Sequence, residues 1–234
     1  MSIADKLTTI AENEPRVFEA GKKSQYDLFW DHFQQNGKRE GYQSAFQWWD
    51  DEIFYPKYDI IAGQSDNVNT AHLFYLSKIR NIKKRLEDCG VKLICKSASA
   101  QAWFHSTETT EIPVLDFSAY TGNSLISMQY TFYNATKLKK VHIKNAKFAY
   151  ITSPFSYCSS LEEIVLENVG FTATNFSGLY LTSCTKLTKD SLLAVLNALE
   201  QASSSPKITL GETNLAKLSD SEIAIATQKG WTVA

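Results

Sequence analysis

The chain has 234 residues and a mass of 26.3 kDa, the size of one large domain or of one domain with a small appendage. Lys and Arg total 24 and Asp and Glu total 25, so the formal net charge is -1, which excludes the basic excess of a general nucleic-acid binder. Hydrophobic residues make up 44% and aromatics 12%, too many for a disordered chain, and 10 Gly with 5 Pro exclude a collagen-like or linker-dominated one.

The first residues, Met1 to Lys6, have neither a basic n-region nor an apolar h-region, so no secretory signal is expected. The product is then made and kept in the cytoplasm, unless it leaves by lysis or within a larger particle. No apolar run approaches the length of a membrane span, so no membrane insertion is expected. Residues 1–23 read as a helical arm. Ile3, Leu7, Ile10 and Val17 give it an apolar stripe, and Pro15 interrupts it. A helix this short needs a covering surface, either its own domain or a partner chain.

Residues 24–64 are dense in aromatics, from Tyr26, Phe29, Trp30 and Phe33 on one helical face to Trp48, Trp49, Phe54, Tyr55 and Tyr58. This reads as a small subdomain. Pro56 marks an extended stretch over Tyr55 to Ile61. Residues 65–234 read as the main unit. Leu73, Leu76, Ile79, Ile82 and Leu86 predict one helix that ends before Gly90. Short strands are expected at Val91–Cys95, Val114–Phe117, Lys140–Ile143 and Glu163–Leu166.

A repeat runs through the last strands. Phe132, Ala135, Leu138, Val141, Ile143, Asn145 and Phe148 recur 23 residues later as Phe155, Cys158, Leu161, Ile164, Leu166, Asn168 and Phe171. A degenerate third copy carries Leu181, Cys184 and Leu187, offset by 26 from the second. A period in the twenties with one short strand per unit predicts a leucine-rich-repeat-like solenoid with parallel strands. In this register Val141 lies beside Ile164 and Ile143 beside Leu166. Lys140 then stacks on Glu163, and Lys144 on Glu167. Ala135, Cys158 and Cys184 share a slot for which a small apolar side chain suffices. Asn145 and Asn168 are placed where their amides can satisfy turn backbone. The end reads as a cap: a helix face of Leu192, Val195, Leu196 and Leu199, a strand at Lys207–Leu210, a capping box from Ser219 to Glu222, and a last strand after Gly230.

These residues resemble the BspA-type leucine-rich repeats of bacterial surface proteins and of phage or prophage structural proteins, over roughly Val91 to Leu187. Further likeness to tail or virion-associated proteins of gut Firmicutes phages lies in four segments: Ile3 to Gly21, Phe29 to Gly37, Phe54 to Asp59 and Ile223 to Trp231. The resemblance implies a non-enzymatic virion component and brings no catalytic residues. It implies other tail or virion proteins as partners and a host-surface glycan or protein as ligand, while the apolar stripe of the arm leads us to expect a homo-oligomer.

Candidate chemistry is sparse. The run Trp48-Trp49-Asp50-Asp51-Glu52 offers carboxylates, but adjacent carboxylates do not face one another, and a solvated acidic edge is the simpler reading. Asp116 and His142 are expected in one outward column, where an acid–imidazole pair lacks a Ser or Cys nucleophile. Lys78, Arg80, Lys83, Lys84 and Arg85 load one helix with charge, as a solvated face would. His32, His72 and His105 are isolated. The cysteines, Cys89, Cys95, Cys158 and Cys184, form no zinc motif and read as reduced buried thiols; no GxGxxG or P-loop is present. Neither metal nor cofactor is therefore expected. The candidate binding surface is the outward strand face, Lys140, His142, Lys144, Glu163 and Glu167. The candidate attachment element is the stripe Ile3, Leu7, Ile10 and Val17. Two other readings stand beside the virion protein: a bacterial repeat scaffold or adhesin outside a virion, and a carbohydrate-active enzyme resting on Trp48 to Glu52.

Overall fold

The computed structural model describes residues 59–62 and 73–234. The arm with Ile3, Leu7, Ile10 and Val17, most of the aromatic-dense stretch, the Trp48–Glu52 run, His32 and His72 lie outside the described residues. The described part is a mixed helix and strand structure with parallel sheets and no closed barrel.

Strand β1 (Ile60–Ala62) pairs with β2 (Leu93–Cys95), Ile60 beside Leu93. Between them lies α1 (Ile82–Asp88), capped by the Asn81 side chain, which accepts from the Lys84 N–H. The helix is thus shorter than the apolar spacing predicts. Leu76 has φ 58, and the Phe74 and Leu76 N–H groups donate to the Trp103 and His105 carbonyls. Backbone that bonds to another stretch of chain in this way has no donors left for a helix. Leu73 and Ile79 are buried all the same.

The largest sheet centres on β5 (Lys140–Thr152). Its first half pairs with β3 (Leu115–Asp116), its second half with β4 (Ile126–Gln129), and Lys140 to Phe148 with β6 (Glu163–Phe171). Val141 lies beside Ile164, Ile143 beside Leu166 and Phe148 beside Phe171, all parallel, as the 23-residue shift predicts. Val141 and Ile143 point inward at period two. At Asn145 the backbone turns to φ 56, and beyond it Ala146 and Phe148 take over the inward positions. Asn168, at φ 53, does the same in β6. Left-handed backbone costs an L-residue roughly 1–2 kcal/mol, least for Asn and Gly, so asparagine suits both corners.

Two aromatic series fill the interior. Phe74, Phe104, Phe132 and Phe155 follow one another at centroid distances of 5.4, 5.7 and 5.4 Å, with ring planes within 10° of parallel. Each is fully buried. Trp103, Phe117, Phe148 and Phe171 form the second series, at 5.8, 5.7 and 5.9 Å, with Phe117 meeting Phe148 edge-on at 88° and the outer two pairs stacked. Such pairs contribute about 0.5–1.5 kcal/mol each beyond the area they bury.

The slot expected to need only a small apolar side chain is a donor slot. The Cys158 thiol donates to the Phe132 carbonyl at 3.0 Å and the Cys184 thiol to the Phe155 carbonyl at 3.2 Å. Asn214 closes the series, donating to Leu181 O at 3.0 Å and Leu210 O at 3.2 Å. Ala135 alone in this slot is purely apolar.

Helix α2 (Lys189–Ala198) is capped by Thr188 and buries Leu192, Val195 and Leu196. Its Ser191 hydroxyl accepts the Ile164 N–H at 2.9 Å, satisfying a donor at the start of β6. The chain ends in a third parallel sheet, β7 (Leu179–Tyr180), β8 (Lys207–Thr209) and β9 (Thr232–Val233), with the short helix α3 (Glu212–Leu215) and α4 (Asp220–Thr227) between β8 and β9. Both bonds of the Ser219–Glu222 capping box are present. Trp231 is buried there and donates its indole N–H to Glu200 O at 2.7 Å.

Candidate functional site

The outward face of β5 and β6 carries the expected charges in the expected register. Lys140 pairs with Glu163 at 2.8 Å and Lys144 with Glu167 at 2.8 Å. His142 Nε2 lies 2.6 Å from the other oxygen of Glu167, which thus joins two neighbouring side chains of β5. Lys144 first, and then His142, hold the Glu167 carboxyl below its ordinary range. Further along β5, Lys147 pairs with Glu200 at 2.9 Å. Every lysine of this face has a carboxylate partner, so it is a neutral lattice of exposed ion pairs, worth about 0–1 kcal/mol each.

The expected column of Asp116 and His142 does not form. Asp116 lies beside Lys144, two residues further along β5. Its carboxylate accepts from the Asn145 amide at 2.9 Å and from the Ser118 N–H, and these bonds lower its pKa, the Asn145 amide most. The Asn168 amide in turn donates to Asn145 Oδ1 at 3.0 Å. The two asparagines therefore build a side-chain ladder, Asp116 to Asn145 to Asn168, where satisfied turn backbone was expected. Among the described residues the acid that meets His142 is Glu167, and neither has a hydroxyl or thiol among its hydrogen-bond partners.

Of the five basic residues expected on one helix, Lys78 and Arg80 precede it. Within α1, Lys83 pairs with Glu87 and Lys84 with Asp88, at 2.9 and 2.7 Å. Cys95, Cys158 and Cys184 are buried, and burial pushes the Cys95 and Cys184 thiols up to about 12 and Cys158 well above its ordinary value. Among the described residues no group of three or more His, Cys, Asp or Glu could hold a metal ion, and no helix is long and apolar enough to cross a membrane.

A second exterior feature escapes the sequence reading. Tyr75, His105, Tyr133 and Tyr157 form a row of rings at 4.8, 4.9 and 5.2 Å, with Tyr130 standing across Tyr133 at 5.6 Å. The signal was available: Tyr75, His105 and Tyr133 each follow directly on a phenylalanine of the first interior stack. His105, taken as isolated, sits within this row. A shallow cleft of about 260 Å³ lies apart in the chain, lined by Phe176, Ser177, Tyr180, Ser204, Lys207 and Thr209 among others.

Compared with known proteins, the chain matches no family model, no curated protein and no solved structure.

Proposed function

We propose that this chain is a non-enzymatic structural protein of a phage or prophage particle, displaying a short leucine-rich-repeat-like solenoid that binds a host-surface ligand or a partner protein. The observation that carries this reading is the 23-residue parallel register of β5 on β6, which repeats inward anchors and outward columns together. A stack of this kind holds its outward side chains at fixed spacing and suits recognition, whereas the ion pairs on its charged face are already satisfied among themselves. The particle assignment rests on the BspA-like repeats and the flanking segments. In this reading the stripe Ile3, Leu7, Ile10 and Val17 attaches the chain to other virion proteins or to further copies of itself.

Particles released by lysis of cells that carry the gene, banded on a density gradient and probed with an antibody to residues 73–234, test it. The chain should band with the particles, and a chain from which residues 1–23 are deleted should remain in the soluble fraction. Recovery of the intact chain only as free protein or with cell envelopes would overturn the virion role in favour of a bacterial scaffold.

A further inference from the structure

Among the described residues, five large hydrophobic side chains remain exposed: Val114, Tyr130, Tyr150, Tyr157 and Tyr180. Four of the five are tyrosine, so the open surface is amphipathic rather than aliphatic. Three of them, Tyr130, Tyr150 and Tyr157, also sit in left-handed backbone, at φ 52, 50 and 64. That region favours Gly and Asn and disfavours a bulky side chain. The fold itself supplies the comparison. The corner held by Tyr157 is held 23 residues earlier by Asn134 at φ 57, and in the layer before by Ser106 at φ 54. The corner held by Tyr130 is held 23 residues later by Ser153 at φ 47. The backbone therefore needs no aromatic ring at either corner. Tyr157 is 54% exposed and Tyr130 39%, and both meet the half-buried Tyr133 with ring planes at 76° and 84°.

We infer that Tyr130, Tyr133 and Tyr157 form a binding site for a neutral polysaccharide. This inference rests on the proposed recognition role and gives it a ligand class. A pyranose ring presents an apolar C–H face edged by hydroxyls. Tyrosine matches it with an aromatic face and a phenolic O–H. The corner adds neutral polar groups: Asn134 donates to the Ser106 hydroxyl at 3.0 Å, bringing an amide and a hydroxyl beside the rings. The charge there is balanced, since Lys137 is paired with Glu108 at 2.9 Å. The three tyrosines carry no charge, so they offer a charged ligand no counter-charge.

The full-length protein run in native gels cast with a soluble starch-type glucan, a mixed-linkage β-glucan, a galactomannan or a mannan tests this. The variants are Tyr157→Asn and Tyr130→Ser, which install the residues the fold already uses at the equivalent corners, with the exposed Lys186→Gln as control. At least one glycan should retard the parent and the control. Both tyrosine variants should lose about tenfold or more in affinity, with melting temperatures that do not fall. Equal retardation of parent and tyrosine variants would overturn the site. Retardation by none of the four glycans would overturn the ligand class. An oligomer that the tyrosine variants turn into monomers would show an interface between copies instead. Banding with particles is read separately, so the glycan inference can fail while the virion reading stands.

Discussion

Asn168 combines two demands on one side chain, a left-handed backbone at φ 53 and an amide bond to Asn145 at 3.0 Å. Asn168→Ala should therefore cost about 1–2 kcal/mol, from the backbone preference and the lost hydrogen bond together. Asn168→Gly keeps the backbone free and should cost less than about 1 kcal/mol. Urea denaturation of the two variants separates the contributions, and equal losses would mean that the backbone at this corner is unstrained. The thiols give a second prediction at this scale. Cys95, Cys158 and Cys184 are buried with raised pKa values, so at neutral pH they are protonated as well as inaccessible. Iodoacetamide should label Cys89, which is only partly buried, and should reach the other three after denaturation. Mass spectrometry of the adducts checks this, and rapid native labelling of Cys158 or Cys184 would place the donor slot at the surface.

The capping box of α4 makes a pH-dependent contribution to stability. The Ser219 N–H first, and then Lys189, hold the Glu222 carboxyl down at about 2, against an ordinary 4.5. A depressed carboxylate stabilises the fold fully above its unfolded value and loses that contribution as the pH falls through the folded one. Lys189 belongs to α2, so the pair at 2.9 Å also ties the two helices together. Melting curves of the parent and Glu222→Gln should differ most near neutral pH and converge as the pH approaches 2. A constant difference across that range would mean the carboxylate charge does not matter to the cap. This helix and its cap are legible in the sequence because a capping box acts over three residues, and α2 because its apolar residues repeat at helical spacing. The helix expected from Leu73 is the contrasting case: its spacing is helical as far as Leu86, but backbone bonds to residues 103–105 fix Leu73 to Leu76 as turn.

Among the described residues the last sheet closes off the larger one, to which parallel bridges from Thr152 to Gly178 and from Phe171 to Leu199 tie it. Trp231 is the largest buried side chain of that closure, and its indole N–H has a carbonyl partner at Glu200. Trp231→Ala should cost about 3–5 kcal/mol, as for other buried aromatics, and lower the melting temperature in a single transition. A loss under about 1 kcal/mol would mean that the final sheet is not coupled to the rest.

The sequence by itself determined the parallel pairing of β5 and β6 and its register. Alternating apolar residues set the inward face, and Lys140 with Glu163 and Lys144 with Glu167 match only in that alignment; a slip of one residue would bury the charges. It also determined α4 through its capping box and α2 through its apolar face. Only the tertiary structure decided that Phe74 and Phe104 belong to the same stack as Phe132 and Phe155. The first intervals along that stack are longer than 23 residues, and a loop of variable length erases a period while the rings still meet. The same holds for the row of tyrosine rings, the Asp116 to Asn168 ladder and the donor role of Cys158 and Cys184. Each rests on a contact between groups more than twenty residues apart in the chain, between side chains in the first two and from thiol to backbone carbonyl in the last. The register that brings Asp116 beside Lys144 rather than His142 depends in the same way on the irregular path between β3 and β5.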